Sequence, residues 1–385
     1  MTVVGAALSE HPLATHAVGE TVGHLLDVGG PRPDLVALFA TEAHLGVLED
    51  IVGAVRQLLE PRALIGACTQ SVLAGSREVE DHSALVIQAM WLGGTRIRPI
   101  RIDSVPGTEG THLRGLGALD GATGTLVLLS DPFSFPAHVA LGDLAVTAPG
   151  LSVVGGAASA ARRPGGNRLL LDAAIVEHGA VALHLDDTVA LATAVSQCAR
   201  PVGQPFTVTA AERSRVHELA GRPAYERLRE VLESLDDTDR VLAAAGLQLG
   251  RVLDEQREDF GQGDFLVRTV LGADKQIGAL AIDDEFPVGA TVQFHIRDAA
   301  AALDDVTATL AGLRCAGVLG FTDVGRGSSF FGAPDCDATA ISDAVGPAGV
   351  AGAFCAGTFG PVRGRSLVHD GALTMLLVDP TPTWP

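Results

Sequence analysis

Glycine-dense loops near the C terminus carry polar side chains that a hydrophobic core does not need. Gly325-Arg326-Gly327 follows an apolar stretch, and its glycines leave the arginine sterically unobstructed. A guanidinium can donate two parallel hydrogen bonds to a carboxylate or a phosphate, so this loop predicts an anion clamp. The alternative is a solvated loop arginine paired with Asp323 or Asp335.

Two later loops provide further candidate contacts for the same ligand. Asp370 directly follows His369, where it is placed to fix the tautomer of the histidine or to favour its charged form. No catalytic residue, cofactor-binding residue or metal ligand is assigned, and no cofactor is expected. The predicted ligand-binding residues are Gly325, Arg326, Gly327, Thr358, Gly360 and His369.

Other polar or glycine-containing motifs favour structural roles. His178, His184 and Asp186 share one face of a predicted strand, but zinc needs three or four converging ligands, so we interpret them as ordinary half-exposed positions. The turns Gly66-Ala67-Cys68 and Gly155-Gly156-Ala157 either approach a ligand or allow tight strand packing, and their repetition favours packing. Cys68 has no assignable histidine partner, which favours an inert buried thiol.

Several reaction classes lack their motifs. A phosphate-binding Walker loop needs a lysine behind a glycine frame, and the single lysine, Lys275, has none. No Gly-x-Ser-x-Gly nucleophile elbow occurs. The glycine-rich stretch from Gly115 to Gly121 precedes a predicted strand, whereas a dinucleotide-binding fingerprint follows one.

The overall charge restricts the partners and the compartment. The 385 residues include 46 acidic and 27 basic side chains, giving a net charge of −19 without a basic stripe, so we expect neither nucleic-acid nor membrane binding. No apolar stretch is long enough to span a bilayer, and the first basic residue is Arg32, so no secretory signal is expected. Five widely spaced cysteines indicate a reducing cytoplasm.

Periodicity predicts a repeated α/β unit that positions these loops. An apolar strand at Leu35–Phe39 precedes a helix with its stripe from Leu45 to Leu58, and strands follow at 63–67 and 84–92. The same strand-helix-strand-strand order recurs at nearly constant spacing, which indicates an internal duplication. A fainter third copy is predicted at Val318–Phe321, Cys336–Val345, Gly352-Ala353 and Leu373–Val378.

The pattern between the second and third copies differs. Val292, Phe294 and Ile296 alternate with polar residues, which is typical of an antiparallel meander. The predicted fold class is therefore α/β, with mixed β-sheets flanked by helices, repeated strand-helix-strand-strand units and an antiparallel meander in the C-terminal half. We predict an N-terminal segment at 1–30 and two domains at 31–221 and 222–385, with the boundary near Gly221.

Several of these stretches resemble the FIST (F-box and intracellular signal transduction) family. The resemblance covers about residues 31 to 378 and rests on the order and spacing of its motifs. The stretches similar to the FIST N domain are Asp34–Phe39, Leu64–Cys68, Gly75-x-x-Glu78, Asp131-Pro-Phe133 and Val153–Gly156. Those similar to the FIST C domain are Val288–Asp298, Gly325–Gly327, Gly360-Pro-Val362 and Leu367-x-His369.

The resemblance implies a cytoplasmic sensory module that binds a small ligand, an amino acid or another anionic or zwitterionic metabolite, and signals through an unknown partner protein. The chain departs from the family pattern at two places. Asp323-Val324 stands where Cys-Asn is expected, and Thr358-Phe359 stands where Glu-Ile is expected. Losing a carboxylate and an amide changes the ligand or abolishes binding.

Two alternatives to a sensor remain open at this stage. One is a hydrolase-like enzyme that uses His369 and Asp370 with an unidentified nucleophile, although a non-enzyme is favoured over it. A pocket with His369 close to Cys355 or Ser366 would support the enzyme. The other is a protein-interaction scaffold without a functional pocket. A deep polar cavity distinguishes binding from scaffolding, because a scaffold needs a broad exposed apolar patch instead.

Overall fold

A computed structural model describes residues 2–107, 110–257, 260–346 and 348–382. The chain forms two compact units: unit 1 comprises Met1–Val195 and Val306–Pro385, and unit 2 comprises Ser196–Asp305. The predicted mixed α/β class is confirmed, because several mixed sheets carry flanking helices.

Unit 1 contains three copies of one α/β repeat. It begins with β1 (Val3–Ser9) and α1 (Ala14–Gly29). The first repeat comprises β2 (Leu35–Thr41), a 3-10 turn (Glu42–Val47), α2 (Leu48–Leu59), β3 (Ala63–Thr69), β4 (Ser71–Ala74), β5 (Arg77–Glu80) and β6 (Leu85–Trp91). The second comprises β7 (Ile97–Gly107), β8 (Gly110–Arg114), a 3-10 turn (Leu116–Leu119), β9 (Gly124–Ser130), α3 (Ala137–Thr147), β10 (Leu151–Ala157), β11 (Leu169–Leu171), β12 (Ala174–Val176) and β13 (Ala180–Leu185), and β14 (Leu191–Gln197) follows.

The third repeat comes after unit 2 in the sequence. Unit 2 holds β15 (Ala199–Glu212), β16 (Arg215–Leu219), β17 (Arg222–Pro223), α4 (Ala224–Ser234), α5 (Asp237–Ala245), β18 (Leu247–Val252), β19 (Phe265–Asp274), β20 (Ala279–Ile282) and β21 (Thr291–Arg297), and α6 (Ala299–Leu310) leads out of it. The third repeat comprises β22 (Leu313–Arg314), β23 (Gly317–Asp323), a 3-10 turn (Val324–Arg326), α7 (Ser328–Phe331), α8 (Cys336–Val345), β24 (Gly349–Cys355), β25 (Thr358–Val362), β26 (Arg365–His369), β27 (Ala372–Val378) and β28 (Thr381–Pro382).

Each repeat pairs its strands in the same way. The first core strand is parallel to the strand after the helix and antiparallel to the last strand, as β2 is to β3 and β6. The same holds for β9 with β10 and β13, and for β23 with β24 and β27. The predicted internal repeat, including its third copy, is confirmed.

The hairpin inside each repeat leaves its own sheet and extends the sheet of another repeat. Hairpin β4–β5 of the first repeat pairs with β24 of the third, and β11–β12 of the second pairs with β3 of the first. Hairpin β25–β26 of the third repeat pairs with β10 of the second. The exchange forms a closed cycle, which the sequence analysis did not predict.

Three glycines show why the parallel strands approach closely. Gly66, Gly155 and Gly352 occupy equivalent positions, and a Cβ at each would collide with the carbonyl oxygen of the residue opposite it on the neighbouring core strand. The predicted interpretation of the Gly66 and Gly155 turns as tight packing therefore agrees with the structure.

The helices cover the outer faces of the sheets. Ile51, Val52 and Val55 of α2 are buried against the first sheet, as their spacing predicts, although Leu59 rather than Leu58 completes the stripe. A separate inner core joins all three repeats and includes Phe39 and Phe321, whose rings meet edge to face.

The predicted N-terminal segment 1–30 is regular structure. Strand β1 pairs with β6 along its whole length, and Ala17, Val22 and Leu25 of α1 are buried. The segment therefore extends the sheet and outer core of the first repeat. Its glycines and the lack of a side-chain cap at Leu13 obscured the helix in the sequence.

Unit 2 contains the predicted antiparallel meander. The sheet order is β15-β21-β18-β19-β20-β16-β17, and Asp298 accepts hydrogen bonds from the amides of Ala300 and Ala301 at the start of α6. Gly221 lies inside unit 2, in the turn between β16 and β17. The division of the sequence into domains near this residue stays a prediction.

Candidate functional site

Arg326, the predicted anion clamp, is fully buried. Its Nε donates to Oδ2 of Asp337 at 2.8 Å, its Nη2 donates to Oδ1 at 2.6 Å, and its guanidinium lies 5.5 Å from the ring centre of Phe331. The carboxylate partner belongs to the first turn of α8 and is neither Asp323 nor Asp335, the two partners considered in the sequence analysis. This ion pair uses the Nε and Nη2 hydrogen-bond donors with which an arginine binds an anion. Binding of an anionic ligand by Arg326 stays a prediction.

The other predicted residues lie on two neighbouring elements. Thr358 and Gly360 are on β25, and His369 ends β26, where its Nε2 lies 2.9 Å from the carbonyl oxygen of Gly360. Arg326 Nη1 donates to the carbonyl of Gly371 at 3.4 Å, which brings the arginine loop to the turn after His369. The structure thus places the predicted residues in one region, while their ligand-binding role stays a prediction.

A cavity of about 420 Å³ opens at a different edge of unit 1. Thr41 ends β2 and Gln70 follows β3; because these strands are parallel, both residues lie at the carboxyl edge. Ser83 precedes the antiparallel strand β6 and reaches the same edge. Open α/β sheets commonly bind ligands outside the carboxyl ends of their parallel strands, and the volume is that of a small-molecule site.

The cavity wall carries charges of both signs. Glu42 and Asp81 provide carboxylates, and Arg162, from the segment after β10, provides an exposed guanidinium. Such a wall suits a ligand that is itself charged at both ends. The complete lining is Thr41, Glu42, Ala43, Gln70, Asp81, His82, Ser83, Ser159, Ala160 and Arg162.

Ser159 fixes the floor of the cavity. Its Oγ accepts a hydrogen bond from the amide of Gln70 at 2.9 Å and donates one to the carbonyl of Phe354 at 2.6 Å. The amide of Ala161 donates to Oδ1 of Asn167, a buried residue. Segments from all three repeats are therefore tied together beneath the cavity, so the site is formed before any ligand arrives.

A serine–histidine contact lies at one side of the cavity. Ser83 Oγ is 3.1 Å from Nε2 of His44, which sits in the 3-10 turn after β2. Burial lowers the pKa of His44, so its ring is neutral near pH 7. With Nδ1 protonated, Nε2 is an acceptor for the serine hydroxyl.

The three residues considered as a partial metal site contact different partners. His184 Nε2 lies 2.7 Å from the carbonyl oxygen of Thr123, Asp186 bonds Thr188, and His178 faces Arg101. Over the described residues, no three or more histidine, cysteine or carboxylate side chains are arranged to hold a metal ion.

The cysteines considered as nucleophiles are deeply buried. Burial raises the pKa of Cys68 to about 12 and also raises the pKa of Cys355, so both remain protonated thiols near pH 7. Within the described ranges, none of the helices combines the length and the apolar composition of a membrane span.

Sequence reasoning missed the cavity because its residues come from separate loops. The usable signal was the repeat itself, since the loops that follow β2 and β3 and precede β6 must share one edge once the parallel pairing is known. The polar run Asp81-His82-Ser83 before a buried strand was the second signal.

Two protein-family models together match most of the chain. The model of the FIST N domain matches residues 34–222, and the model of the FIST C domain matches residues 224–361. An uncharacterized protein of Mycobacterium bovis is 37% identical over 382 residues, covering 97% of this chain and 98% of that protein. An uncharacterized protein of Mycobacterium tuberculosis is 38% identical over 383 residues, covering 97% of this chain and 99% of that protein.

Proposed function

The chain belongs to the FIST family, whose domains are associated with signal transduction and ligand sensing, and on that premise we propose that it binds a small zwitterionic metabolite in the cavity of the first repeat. The single observation that carries the proposal is the pairing of carboxylates and a guanidinium on a preformed floor. An amino acid is the simplest ligand of this charge pattern.

Each charge has a proposed partner on the ligand. The guanidinium of Arg162 receives the ligand carboxylate, since a guanidinium and a carboxylate form paired hydrogen bonds. Glu42 and Asp81 receive its ammonium group. The net charge of −19 opposes the approach of a purely anionic ligand, which favours a zwitterion over a dianion.

Calorimetry with three matched sets of compounds tests this proposal: free amino acids, the corresponding carboxylic acids without the amine, and the corresponding amines without the carboxylate. We expect the amino acids to bind and both truncated sets to bind at least about tenfold more weakly, because each loses one charge-assisted contact. Equal binding of acids and amino acids would contradict the role of Glu42 and Asp81.

Substitution of the cavity arginine sharpens the test. Arg162→Ala is expected to weaken amino-acid binding about 10- to 150-fold, the range for one charge-assisted hydrogen bond. Arg163→Ala is the matched control, because Arg163 is also exposed and adjacent but does not line the cavity. Equal losses of affinity in the two variants would mean that each arginine acts only through the overall charge of the protein. The ligand site would then stay unassigned.

The signal is proposed to pass to a separate cytoplasmic protein. The two matched FIST regions, residues 34–222 and 224–361, are both associated with sensing, so the proposal places the output on another protein. The ligand would act by changing the surface that this partner meets.

Hydrolysis is a second candidate function, favoured by the Ser83–His44 contact. In such a reaction the serine oxygen attacks an acyl carbon while Nε2 of His44 takes the hydroxyl proton. The bond from the acyl carbon to the leaving group then breaks, and the leaving group departs with that proton. Water next cleaves the acyl-serine, which releases the acid and restores the serine hydroxyl. A fluorophosphonate probe tests it: labelling of the wild type that is lost in Ser83→Ala and reduced in His44→Gln supports an activated serine. An unlabelled wild-type protein removes this candidate and leaves the binding proposal intact.

A further inference from the structure

The loop that lines one side of the cavity is the direct continuation of an exchanged hairpin. Strand β5 ends at Glu80, and the next three residues, Asp81, His82 and Ser83, belong to the cavity wall. The hairpin itself pairs with β24 of the third repeat. The position of this wall therefore depends on how firmly the hairpin is held there.

Glu78 holds the hairpin on helix α8. Its side chain is 7% exposed, and its Oε1 accepts a hydrogen bond from the amide of Ala338 at 2.9 Å, in the first turn of α8. Its own amide donates to Oδ1 of Asp335 at 2.6 Å. The second carboxyl oxygen, Oε2, is buried without a hydrogen-bond partner among the described residues. A buried carboxylate oxygen without a partner is costly when it is charged.

The groups that face Glu78 add to this cost. Glu80 lies on the same strand and accepts from the amide of Ser328, and Asp335 and Asp337 lie at the start of α8, with the thiol of Cys336 between them. The guanidinium of Arg326 is bound to Asp337. Burial first, and then the neighbouring carboxylates, raise the pKa of Glu78 to about 7, against the lowering effect of the Ala338 hydrogen bond.

We propose that Glu78 is a proton-sensitive positioning residue for the cavity. When protonated it keeps hairpin β4–β5 seated on α8; when ionised it loosens the hairpin and, with it, residues 81–83. The consequence for ligand binding rests on the proposed function, whereas the effect on the hairpin does not. A ligand that needs the wall formed by residues 81–83 would then bind more tightly at slightly acid pH.

The direction of the pH effect is opposite to that of most carboxylates. Because the pKa of Glu78 is higher when hairpin β4–β5 is seated on α8, the carboxyl takes up a proton when the hairpin closes. The closed hairpin therefore loses stability as pH rises from the ordinary glutamate value of 4.5 to about 7, and it loses no more above that value. This shift corresponds to about a tenfold change in the opening equilibrium between pH 6 and pH 8.

Hydrogen exchange of the full-length, ligand-free protein tests the proposal. After correction for the intrinsic rates, we expect protection of residues 71–83 to fall about tenfold from pH 6 to pH 8 in the wild type. Glu78→Gln should show the same protection at both values, because its side chain cannot ionise. Glu80→Gln is the matched control, since it removes a half-buried carboxylate from the same strand and should keep most of the fall, because burial contributes more than Glu80 to the raised pKa of Glu78.

Three outcomes would overturn the proposal: pH-independent protection in the wild type, the same fall in Glu78→Gln, or loss of the fall in Glu80→Gln alone. If Glu78→Gln does not fold, protection of the wild type is measured at five pH values instead. The proposal requires that the midpoint of the fall in protection lie near pH 7, and a midpoint elsewhere would overturn it. No ligand is present in any of these measurements, so a failure here is distinct from a failure of the zwitterion site.

Discussion

The first and third repeats of unit 1 place charged residues at corresponding edges but use them differently. At the edge of the first repeat, Glu42 is exposed on the wall of a cavity, together with Arg162 from the second repeat. In the third, Arg326 and Asp337 are both fully buried and bind each other through two hydrogen bonds. Charged residues at this edge thus line a solvent-accessible cavity in the first repeat and form a buried internal ion pair in the third.

This difference teaches where to look for ligand binding in a repeated fold. In the sequence, an arginine between two glycines indicates an accessible backbone. Only the fold decides whether its guanidinium is exposed to a ligand or buried against a carboxylate of the chain. The exposed arginine lies in an ordinary polar loop and has no distinctive sequence context.

The largest expected effect is the loss of the buried ion pair. Arg326→Ala leaves the Asp337 carboxylate buried without its cationic partner, so we expect unfolding to become easier by about 3–5 kcal/mol. Urea denaturation monitored by circular dichroism measures it.

The control for this prediction is an exposed ion pair of the same unit. Arg77 pairs with Glu10 at 2.8 Å, with side chains that are 60% and 43% exposed. Arg77→Ala should cost about 1 kcal/mol or less. Similar costs for Arg326→Ala and Arg77→Ala would mean that the third-repeat pair is accessible to water, and the comparison between the repeats would then fail.

A smaller effect is expected at the equivalent glycines. Gly66→Ala and Gly352→Ala each place a Cβ against a backbone carbonyl, so each should destabilise the protein by about 1–3 kcal/mol. Gly53→Ala in the exposed face of α2 is the control, because its Cβ meets nothing and alanine favours a helix by about 1 kcal/mol. A neutral result at one glycine and not the other would show that the repeats differ in their packing.

The smallest effect is expected in the cavity wall. Arg162→Ala and Glu42→Gln remove exposed charges that have no structural role in the contacts described, so the free energy of unfolding should change by no more than about 0.5 kcal/mol. Thermal denaturation of both variants checks this. A cost above about 1 kcal/mol in either one would assign that side chain to stability and weaken the zwitterion proposal.

Local patterns predicted the repeat but not its assembly. The apolar strand at Leu35, the stripe of α2 and the landmark glycines are short-range signals, and they gave the strand-helix-strand-strand order in all three copies. The choice of partner for hairpin β4–β5 is a long-range event, because any open sheet edge can accept a hairpin. Nothing in the residues of β4 identifies β24 as the acceptor.

The candidate site was likewise predicted from the sequence only in part. The sequence placed Thr358, Gly360 and His369 in one region, and the structure brings Gly360 and His369 to within 2.9 Å of each other. It did not find the cavity, because Gln70 and Ser159 belong to different repeats and meet only after the sheets have formed. Burial of Arg326 was equally invisible, since its partner Asp337 lies beyond a turn and a short helix.

The exchanged hairpins also constrain how the chain folds during synthesis. The bond between Glu78 and Ala338 joins residues 260 positions apart, so the first repeat cannot seat its hairpin until most of the chain has left the ribosome. Contacts of this range slow folding and leave strand edges exposed in the meantime. Because the exchange is a closed cycle, no repeat has a complete sheet on its own, and we expect unit 1 to fold in one late cooperative step rather than repeat by repeat.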